Sequence, residues 1–332
     1  MQNKIALVLG ATGGIGGEVA RRLSQRGWSV RALHRRPGEV AGRGDFNWMQ
    51  GDAMVAGDVA AAANGVSLVV HAVNPPGYRN WGELAVPMLD NALAAARQAG
   101  ARILLPGTVY NFGPETFPLI DEEAPQNPRT RKGKIRVEME ARLETAARAG
   151  DAKALIVRAG DFFGPQAANN WFSQGLVKPG QPVRSISCPG RPGVGHQWAY
   201  LPDVAETMVR LIERDDLADF ARFHMDGHWD HDGRQMIEAI KRVVGDPSLR
   251  DRRFPWLAVK LASPFVPLFR ELDEMKYLWQ QPIRLRNARL VAALGTEPYT
   301  PLDQAVGATL VGLGCVGAAE AASAADGQFR AA

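Results

Sequence analysis

The stretch Gly10-Ala-Thr-Gly13-Gly-Ile-Gly16 separates an apolar run, Ile5–Leu9, from an amphipathic segment that contains Val19–Arg26. Glycines at these spacings allow a tight turn, a close approach of the backbone to a pyrophosphate and close packing of a helix on a strand. The helix that follows presents unpaired N–H groups and the positive end of its dipole to an anion. The order strand, glycine loop, helix therefore predicts a dinucleotide-binding loop with the contact residues Gly10, Thr12, Gly13, Gly14, Ile15 and Gly16. The alternative is a tight glycine turn that binds no ligand.

Beyond this loop, one pattern occurs three times: an amphipathic segment, a glycine at its end, and then an apolar run. The glycines are Gly27, Gly100 and Gly150. Glycine ends a helix readily because it tolerates the left-handed conformation. The runs Val66–His71 and Ile103–Leu105 are almost entirely apolar, as expected when helices cover both faces of a sheet. Alternating strands and helices predict an α/β protein with a doubly wound parallel sheet, the Rossmann fold.

The pattern changes after Pro165. Residues 178–195 contain four prolines and four glycines, and residues 254–287 are rich in Trp and Phe with helical periodicity. We predict a nucleotide-binding domain over residues 1–165, to which residues 196–215 return. We also predict a smaller, mainly helical substrate-binding region over residues 166–311 and a flexible tail over residues 312–332. The expected wall of the substrate pocket comprises Trp171, Trp198 and Trp279.

The composition excludes several classes of protein. Of the 332 residues, 46% are apolar and 22% charged, and the formal net charge is +4; these fractions are typical of folded globular chains. The basic residues are scattered, and no apolar stretch reaches the roughly 18 residues of a membrane-crossing helix, so neither a nucleic-acid nor a membrane partner is expected. The first apolar run starts at Ile5 and the chain has two cysteines. We therefore expect a cytoplasmic protein without a signal peptide or a disulfide framework.

The end of the second predicted strand indicates which nucleotide binds. An NAD site commonly has an acidic residue there that bonds the ribose 2′-hydroxyl. This chain has His34, Arg35 and Arg36, and the first acidic residue downstream is Glu39. A guanidinium binds a 2′-phosphate through charge-assisted hydrogen bonds, whereas a carboxylate would repel it. The sequence therefore favours NADP(H), with NAD as the second possibility and solvated arginines as the structural alternative.

Five further motifs, together with the glycine loop, resemble the extended short-chain dehydrogenase/reductase family, also called the NAD-dependent epimerase/dehydratase family, over about residues 4 to 215. They are Gly51-Asp52, Val70-His71-Ala72, Thr108-Val109-Tyr110, Arg158-Ala-Gly-Asp-Phe-Phe-Gly164-Pro165 and Tyr200-Leu-Pro-Asp203-Val204. The resemblance implies that Asp52 and Ala53 lie by the adenine, that Ala72 and Val73 lie along the cofactor, and that the segment around Phe163 lies near the nicotinamide. It also implies a homodimer, since family members often pair through their helices.

The chain departs from the family where chemistry is expected. The family uses a Tyr-x-x-x-Lys pair on the helix after the fifth strand, in which the Tyr is a general acid/base, together with a Ser or Thr at the strand's end. The corresponding stretch here, Pro128–Glu138, contains no tyrosine. With Lys134 in the Lys position, Thr130 stands where the Tyr should be. The remaining catalytic candidates are Thr108, Tyr110 and Lys134, and Lys134 is also expected to contact the cofactor ribose.

Two hypotheses for function follow. One is an NAD(P)-dependent oxidoreductase or epimerase/dehydratase-like enzyme that acts on a small polar carbonyl or sugar-like substrate. The other is an NADP(H)-binding redox-sensing or regulatory protein with little or no turnover, which the missing tyrosine favours. The nearby His224, His228 and His231 could suggest a metal site, but a polar loop explains them better, and no metal is expected.

Overall fold

The computed structural model describes residues 4–40, 46–75, 80–167 and 170–318. Seven parallel strands form the central sheet: β1 Ile5–Leu9, β2 Ser29–His34, β3 Asn47–Gln50, β4 Leu68–His71, β5 Arg102–Gly107, β7 Lys153–Arg158 and β11 Phe220–His224. Their spatial order is β3-β2-β1-β4-β5-β7-β11. The strand order reverses between β1 and β4, and ligands of open α/β sheets bind at such a reversal. The predicted doubly wound parallel sheet is confirmed.

Ten helices surround this sheet and build the C-terminal region within the described residues. They are α1 Gly14–Gln25, α2 Ala56–Ala62, α3 Trp81–Ala99, α4 Arg131–Arg148, α5 Leu201–Ile212, α6 Gln235–Val244, α7 Trp256–Ala262, α8 Pro267–Met275, α9 Ala288–Leu294 and α10 Leu302–Gly312. The remaining strands form small sheets outside the central one: β6 Leu119–Ile120, β8 Asp161–Phe163, β9 Ser185–Cys188, β10 His196–Tyr200, β12 His228–Asp230, β13 Arg250–Arg253 and β14 Arg284–Leu285.

Three apolar cores hold these layers together. One lies between one face of the sheet and α2, α3 and α4, and a second lies on the opposite face under α1 and α5. The third joins the aromatic side chains of the C-terminal region to α6 and α10. Because both faces of the central strands are covered, their side chains are almost all apolar, which is the pattern that the sequence presented.

Segments beyond residue 165 complete the sheet. Helix α5, within the predicted return segment 196–215, packs against α1, and Glu206 accepts salt bridges from Arg22 and Arg26 at the end of that helix. Strand β11 lies farther along the chain than the predicted return segment and pairs with β7 at the edge of the sheet. In the predicted tail, Cys315 is buried, and residues 319–332 lie outside the described residues.

Candidate active site

At two positions of the first loop, neighbouring backbone atoms come so close that only glycine fits. Gly10 has φ +93°, and a Cβ there would lie 2.6 Å from the carbonyl oxygen of Ala72. A Cβ on Gly16 would lie 2.3 Å from the carbonyl oxygen of Gly10. The loop is closed by a hydrogen bond from the Gly13 N–H to the Gly10 carbonyl, at 2.9 Å. Gly10 and Gly16 therefore let the loop, α1 and the end of β4 approach one another.

Gly13 stands in a different environment. It is exposed, its backbone is extended, and a Cβ would meet only the Gly10 carbonyl oxygen, at 3.3 Å, among the described residues. In this part of the chain no side chain caps α1, and its first turn holds no acidic residue. Half-buried Thr12, Gly14 and Ile15 flank this open helix end. Unpaired N–H groups and the positive end of the helix dipole thus face open space, which is the arrangement that binds a phosphate.

At the end of β2, His34 and Arg36 make side-chain contacts, whereas Arg35 is exposed. His34 accepts a hydrogen bond from the Arg36 N–H at 3.1 Å, and its ring lies edge-on to Trp48. Arg36 forms an ion pair with Glu39. Arg35 is exposed and, within the described part of the chain, its guanidinium takes part in no ion pair or hydrogen bond. Glu39, the first acidic residue after β2, is thus paired with Arg36 and not with Arg35.

The predicted adenine loop is tied to the same edge of the sheet. The Gly51 N–H donates to the His34 carbonyl at 3.1 Å, which places Asp52 directly beyond β2 and β3. The Asp52 carboxylate accepts from the Met54 N–H at 3.0 Å, and the Ala53 carbonyl accepts from the Asn91 amide at 2.9 Å. On the other side of the glycine loop, the Ala72 N–H donates to the Leu9 carbonyl, so that Ala72 and Val73 lie beside Gly10.

Thr108 and Tyr110 follow β5 at this edge. The Thr108 hydroxyl accepts from the Tyr110 N–H at 3.4 Å and donates to the Asn111 side chain at 3.3 Å. Tyr110 is half-buried and packs against the C-terminal aromatic core. A Cβ on Gly133 of α4 would lie 2.2 Å from the Tyr110 carbonyl oxygen. Glycine at position 133 thus allows the start of α4 to lie against the loop after β5.

Helix α4 begins at Arg131, and Thr130 is its N-terminal cap. The Thr130 hydroxyl accepts from the Gly133 N–H at 2.9 Å and is buried. Such a cap stabilises a helix by about 1 kcal/mol. Thr130, which the sequence aligns with the family's tyrosine, therefore uses its buried hydroxyl to cap the helix.

Two basic side chains one turn apart on α4, Lys132 and Arg136, are buried, whereas Lys134 is exposed. Arg136 donates to the Pro106 carbonyl at the end of β5 and to the Asn74 side chain beyond β4, at 3.3 and 3.4 Å. Its guanidinium lies over the Trp81 ring. The geometry thus favours Arg136 over Lys134 as the cation near the cofactor cleft, and the predicted role of Lys134 stays a prediction.

Lys132 is held by the C-terminal region. Its ammonium lies 2.8 Å from the Glu271 carboxylate of α8, donates to the Glu271 carbonyl at 3.1 Å, and lies 3.9 Å from Glu274. The sequence places Lys132 and Arg136 in a dense basic run, residues 129–136, from which an anionic cofactor or substrate could use one or two cations, but it does not indicate which ones, and it does not indicate Glu271. The signal was present in the spacing: Ile135, Met139 and Leu143 mark the buried side of α4, and Lys132 and Arg136 flank that stripe.

A buried polar network lies behind the site. Arg158, at the end of β7, is fully buried and forms an ion pair with Glu140, one turn beyond Arg136 on α4. Arg158 also contacts the His224 ring nitrogen at 3.0 Å. Burial and the neighbouring Arg158 lower the pKa of His224 to about 2. The network fixes α4 against the sheet and keeps the His224 ring neutral.

The aromatic residues predicted for the substrate region come together. Trp171 and Trp198 each contact Trp279, with ring centroids 5.2 and 5.6 Å apart. The cavity beside Trp198 and Trp279 measures only about 20 Å³, far below the volume of an ordinary ligand pocket. The Phe163 ring is fully buried in the same core, stacked on Phe172. The Phe163 ring is therefore not free to face a cofactor, whereas Asp161 and Phe162 of the same strand are half-buried.

The histidine cluster is dispersed. His224 is buried by Arg158, His228 packs against Phe163 and Tyr299, and His231 is exposed. Among the described residues, no group of three or more His, Cys, Asp or Glu side chains could hold a metal ion. No helix of the described chain has the length and apolar character needed to cross a membrane.

A family model described as the NAD dependent epimerase/dehydratase family matches residues 6–221. The chain belongs to this family. The uncharacterized protein y4nL of Sinorhizobium fredii is 27% identical over an alignment of 203 residues, and the match covers 53% of this chain and 56% of that protein. The chain thus matches little more than half the length of this relative.

Several solved structures share the family fold. MoeE5 in complex with UDP-glucose and NAD has 18% identity and a TM-score of 0.71, over 92% of this chain and 97% of MoeE5. The UDP-glucuronic acid 4-epimerase of Bacillus cereus, in complex with UDP-glucuronic acid and NAD, has 13% identity and a TM-score of 0.72, over 93% and 98%. The UDP-glucose 4-epimerase of Thermus thermophilus, in complex with NAD, has 18% identity and a TM-score of 0.70, over 93% and 98%. At these identities the likeness establishes the fold.

Proposed function

We propose that this family member is an NAD(P)-dependent oxidoreductase or epimerase that acts on a small polar carbonyl or a sugar nucleotide. One observation carries the proposal: the uncapped N-terminus of α1, with Gly13 open beside it, lies where the strand order of the sheet reverses. Structural neighbours bind UDP-sugars and NAD, which supports the substrate class. The cofactor would supply hydride transfer, and the glycine loop, Asp52 and Ala72 would hold it.

NADP(H) is the proposed cofactor, with NAD as the second choice. Arg35 is exposed directly beyond β2, and the neighbouring acid Glu39 is paired with Arg36. A free guanidinium at this place favours a 2′-phosphate. Several structural neighbours were solved with NAD, so the strand-end arginine is the feature on which this chain's preference for NADP(H) depends.

We infer that Lys132 and Arg136 occupy the places of the family's Tyr and Lys. They have the same spacing of four residues, they lie on the buried side of α4, and Arg136 reaches the ends of both β4 and β5. Arg136 would bind the nicotinamide ribose. The proton donor would be the Lys132 ammonium or the Tyr110 phenol, because the Thr108 hydroxyl is engaged with Tyr110 and Asn111.

The second candidate function, a cofactor-binding sensor without turnover, is favoured by the Lys132–Glu271 ion pair. The buried Lys132 ammonium could donate a proton, but its ion pair with Glu271 also joins α4 to α8. If this pair stays closed, α8 covers the position where substrate chemistry would occur, and cofactor binding would be the only activity.

The experiment that separates the two functions is a substrate screen with a binding control. The protein is incubated with NADP or NAD together with UDP-glucose or UDP-glucuronic acid, and with NADPH or NADH together with simple polar aldehydes. Reduced cofactor is followed by absorbance, and sugar products are followed by chromatography. The proposal expects product with the wild type and none with Gly13→Val. Tight NADPH binding with no product from any of these substrates would support the sensor and contradict the enzyme.

A further inference from the structure

Helices α7 and α8 expose a group of large apolar side chains. Leu257 and Leu261, one turn apart on α7, are 73% and 69% exposed, and Phe265, between the two helices, is 85% exposed. Leu268, at the start of α8, is 48% exposed. Single exposed apolar residues are ordinary, but a contiguous group of them marks an interaction surface. We call these four residues the apolar tip.

The segment that carries the apolar tip contains more basic than acidic side chains. Residues 250–270 contain one acidic side chain, Asp251, which is paired with Arg234 at 2.8 Å. The same stretch contains five exposed basic residues: Arg250, Arg252, Arg253, Lys260 and Arg270. Lys260 lies on α7 between Leu257 and Leu261. Helix α8 also carries Glu271, Asp273 and Glu274, of which Glu271 and Glu274 contact Lys132 and the Arg131 N–H. With six basic and four acidic residues, residues 250–276 keep a modest excess of positive charge.

The inner side of this hairpin is anchored to the rest of the molecule. The Trp256 indole N–H donates to the Pro189 carbonyl at 2.8 Å, and Val259 is buried. On α8, Glu271 pairs with Lys132. The exposed side chains thus stand on helices whose opposite faces are fixed by specific contacts, so the apolar tip is part of the folded structure rather than a frayed end.

We propose that the α7–α8 hairpin binds the surface of a bilayer that contains anionic lipid. Leu257, Leu261 and Phe265 would enter the boundary between headgroups and acyl chains, and the flanking cations would contact the phosphates. Side chains that are more than two-thirds exposed can enter a deformable lipid surface directly, whereas a protein partner must supply a matching socket. Such a hairpin lies on a membrane without crossing it, and the proposal departs from the sequence-based expectation of no membrane partner.

The test is co-sedimentation of the full chain with vesicles. Vesicles of equal parts phosphatidylcholine and phosphatidylglycerol are compared with vesicles of phosphatidylcholine alone, at low and at high salt. The wild type is expected to bind the mixed vesicles, to bind neutral vesicles weakly and to be released by salt. Phe265→Ser is expected to lower binding about tenfold or more, and Lys260→Gln about fivefold. Val291→Ser, at an exposed apolar residue of α9, is the matched control and should bind like the wild type.

Two results would overturn the proposal: no binding of the wild type to mixed vesicles, or equal binding by the wild type and by a Leu257→Ser/Leu261→Ser/Phe265→Ser variant. A dimer that forms with rising concentration and is lost in Phe265→Ser, without vesicle binding, would assign the tip to a second copy instead. Thermal melting with and without NADPH is measured on each variant. Because the tip is distant from the glycine loop in sequence, vesicle binding is expected to be lost while the cofactor-induced shift is kept.

Discussion

Gly13 and Gly16 belong to one loop, yet a side chain would meet different surroundings at the two positions. At Gly13 the new atoms would enter the space in front of α1, and at Gly16 they would collide with the Gly10 carbonyl. A substitution at Gly13 should therefore affect ligand binding, whereas a substitution at Gly16 should affect folding.

We expect Gly13→Val to abolish NADPH binding and to leave the melting temperature of the free protein nearly unchanged, because valine fills the place of the pyrophosphate and its backbone can adopt the extended conformation of Gly13. Gly16→Val should lower the melting temperature itself, since something in the loop must shift. The measurement is thermal melting with and without NADPH. A cofactor-induced shift that survives in a folded Gly13→Val protein would place the nucleotide elsewhere.

Arg35 provides the second test at this scale. Its exposed guanidinium stands beyond β2 without an ion pair among the described residues, and a charge-assisted hydrogen bond is worth about 1.5–3 kcal/mol. We expect the wild type to bind NADPH about ten- to a hundredfold more tightly than NADH, and Arg35→Ala to remove most of that difference. Calorimetric titration of both cofactors measures it, with Arg36→Ala as the control that removes an arginine already paired with Glu39. Equal wild-type affinities for the two cofactors would contradict the NADP preference.

At the scale of elements, α4 decides which basic residue lies near the cofactor cleft. Thr130 sets the first turn, and Gly133 allows that turn to lie against the carbonyl of Tyr110. Ile135 and Met139 then face the core. This rotation directs Arg136 to the ends of β4 and β5 and leaves Lys134 in solvent.

We therefore expect Arg136→Met to weaken NADPH binding about tenfold or more, and Lys134→Ala to change it less than about threefold. Arg136→Lys keeps the charge and should retain most of the affinity, which separates the loss of charge from a loss of packing on Trp81. Calorimetry on variants that melt cooperatively is the measurement. A larger loss of affinity from Lys134→Ala than from Arg136→Met would restore the role that the sequence predicted for Lys134.

At the scale of the whole molecule, three buried histidines link stability to pH. Burial lowers the pKa of His71 to about 3, with a smaller contribution from Arg136, and lowers that of His228 to about 4. The pKa of His224 is about 2. Below pH 6.5 the unfolded chain binds protons at these rings and the folded chain does not. Stability is therefore complete above pH 6.5 and falls as the pH decreases towards the folded pKa values.

At pH 5.5 each of these rings costs about 1.4 kcal/mol of the free energy of unfolding, relative to neutral pH. His71 is the cleanest position to test, because it is buried in β4 and neither ring nitrogen has a hydrogen-bond partner within the described residues. We expect His71→Leu to lose about 1.4 kcal/mol less than the wild type between pH 7.5 and pH 5.5 in urea unfolding. His231→Leu, at an exposed ring, is the control and should follow the wild type. An unchanged pH dependence in His71→Leu would mean that the ring is not buried neutral.

The fold could be predicted from the sequence because each feature that specifies it spans only a few neighbouring residues. The apolar run Ile5–Leu9, the glycine loop and the glycines that end the helices each act within a few residues, and the parallel sheet follows from their alternation. The predicted phosphate-binding role of the glycine loop also rests on local sequence, since a strand, a turn and a helix end are neighbours in the chain. Trp171, Trp198 and Trp279 were predicted to form the wall of a substrate pocket; the structure brings their rings together in an aromatic core with a cavity of only about 20 Å³.

Which cation of α4 lies near the end of the sheet was decided only by tertiary structure. Which of Lys132, Lys134 and Arg136 faces the sheet depends on the rotation of α4, and that rotation is set by its packing against Tyr110 and the core, which are distant in sequence. The partner of Lys132 is Glu271, 139 residues away, and no local pattern connects them. Sequence alone determines what a few neighbouring residues can form, because backbone sterics and hydrophobic periodicity act at short range. Side-chain pairs across elements depend on how the elements pack, and here that packing determines which charges meet at the site.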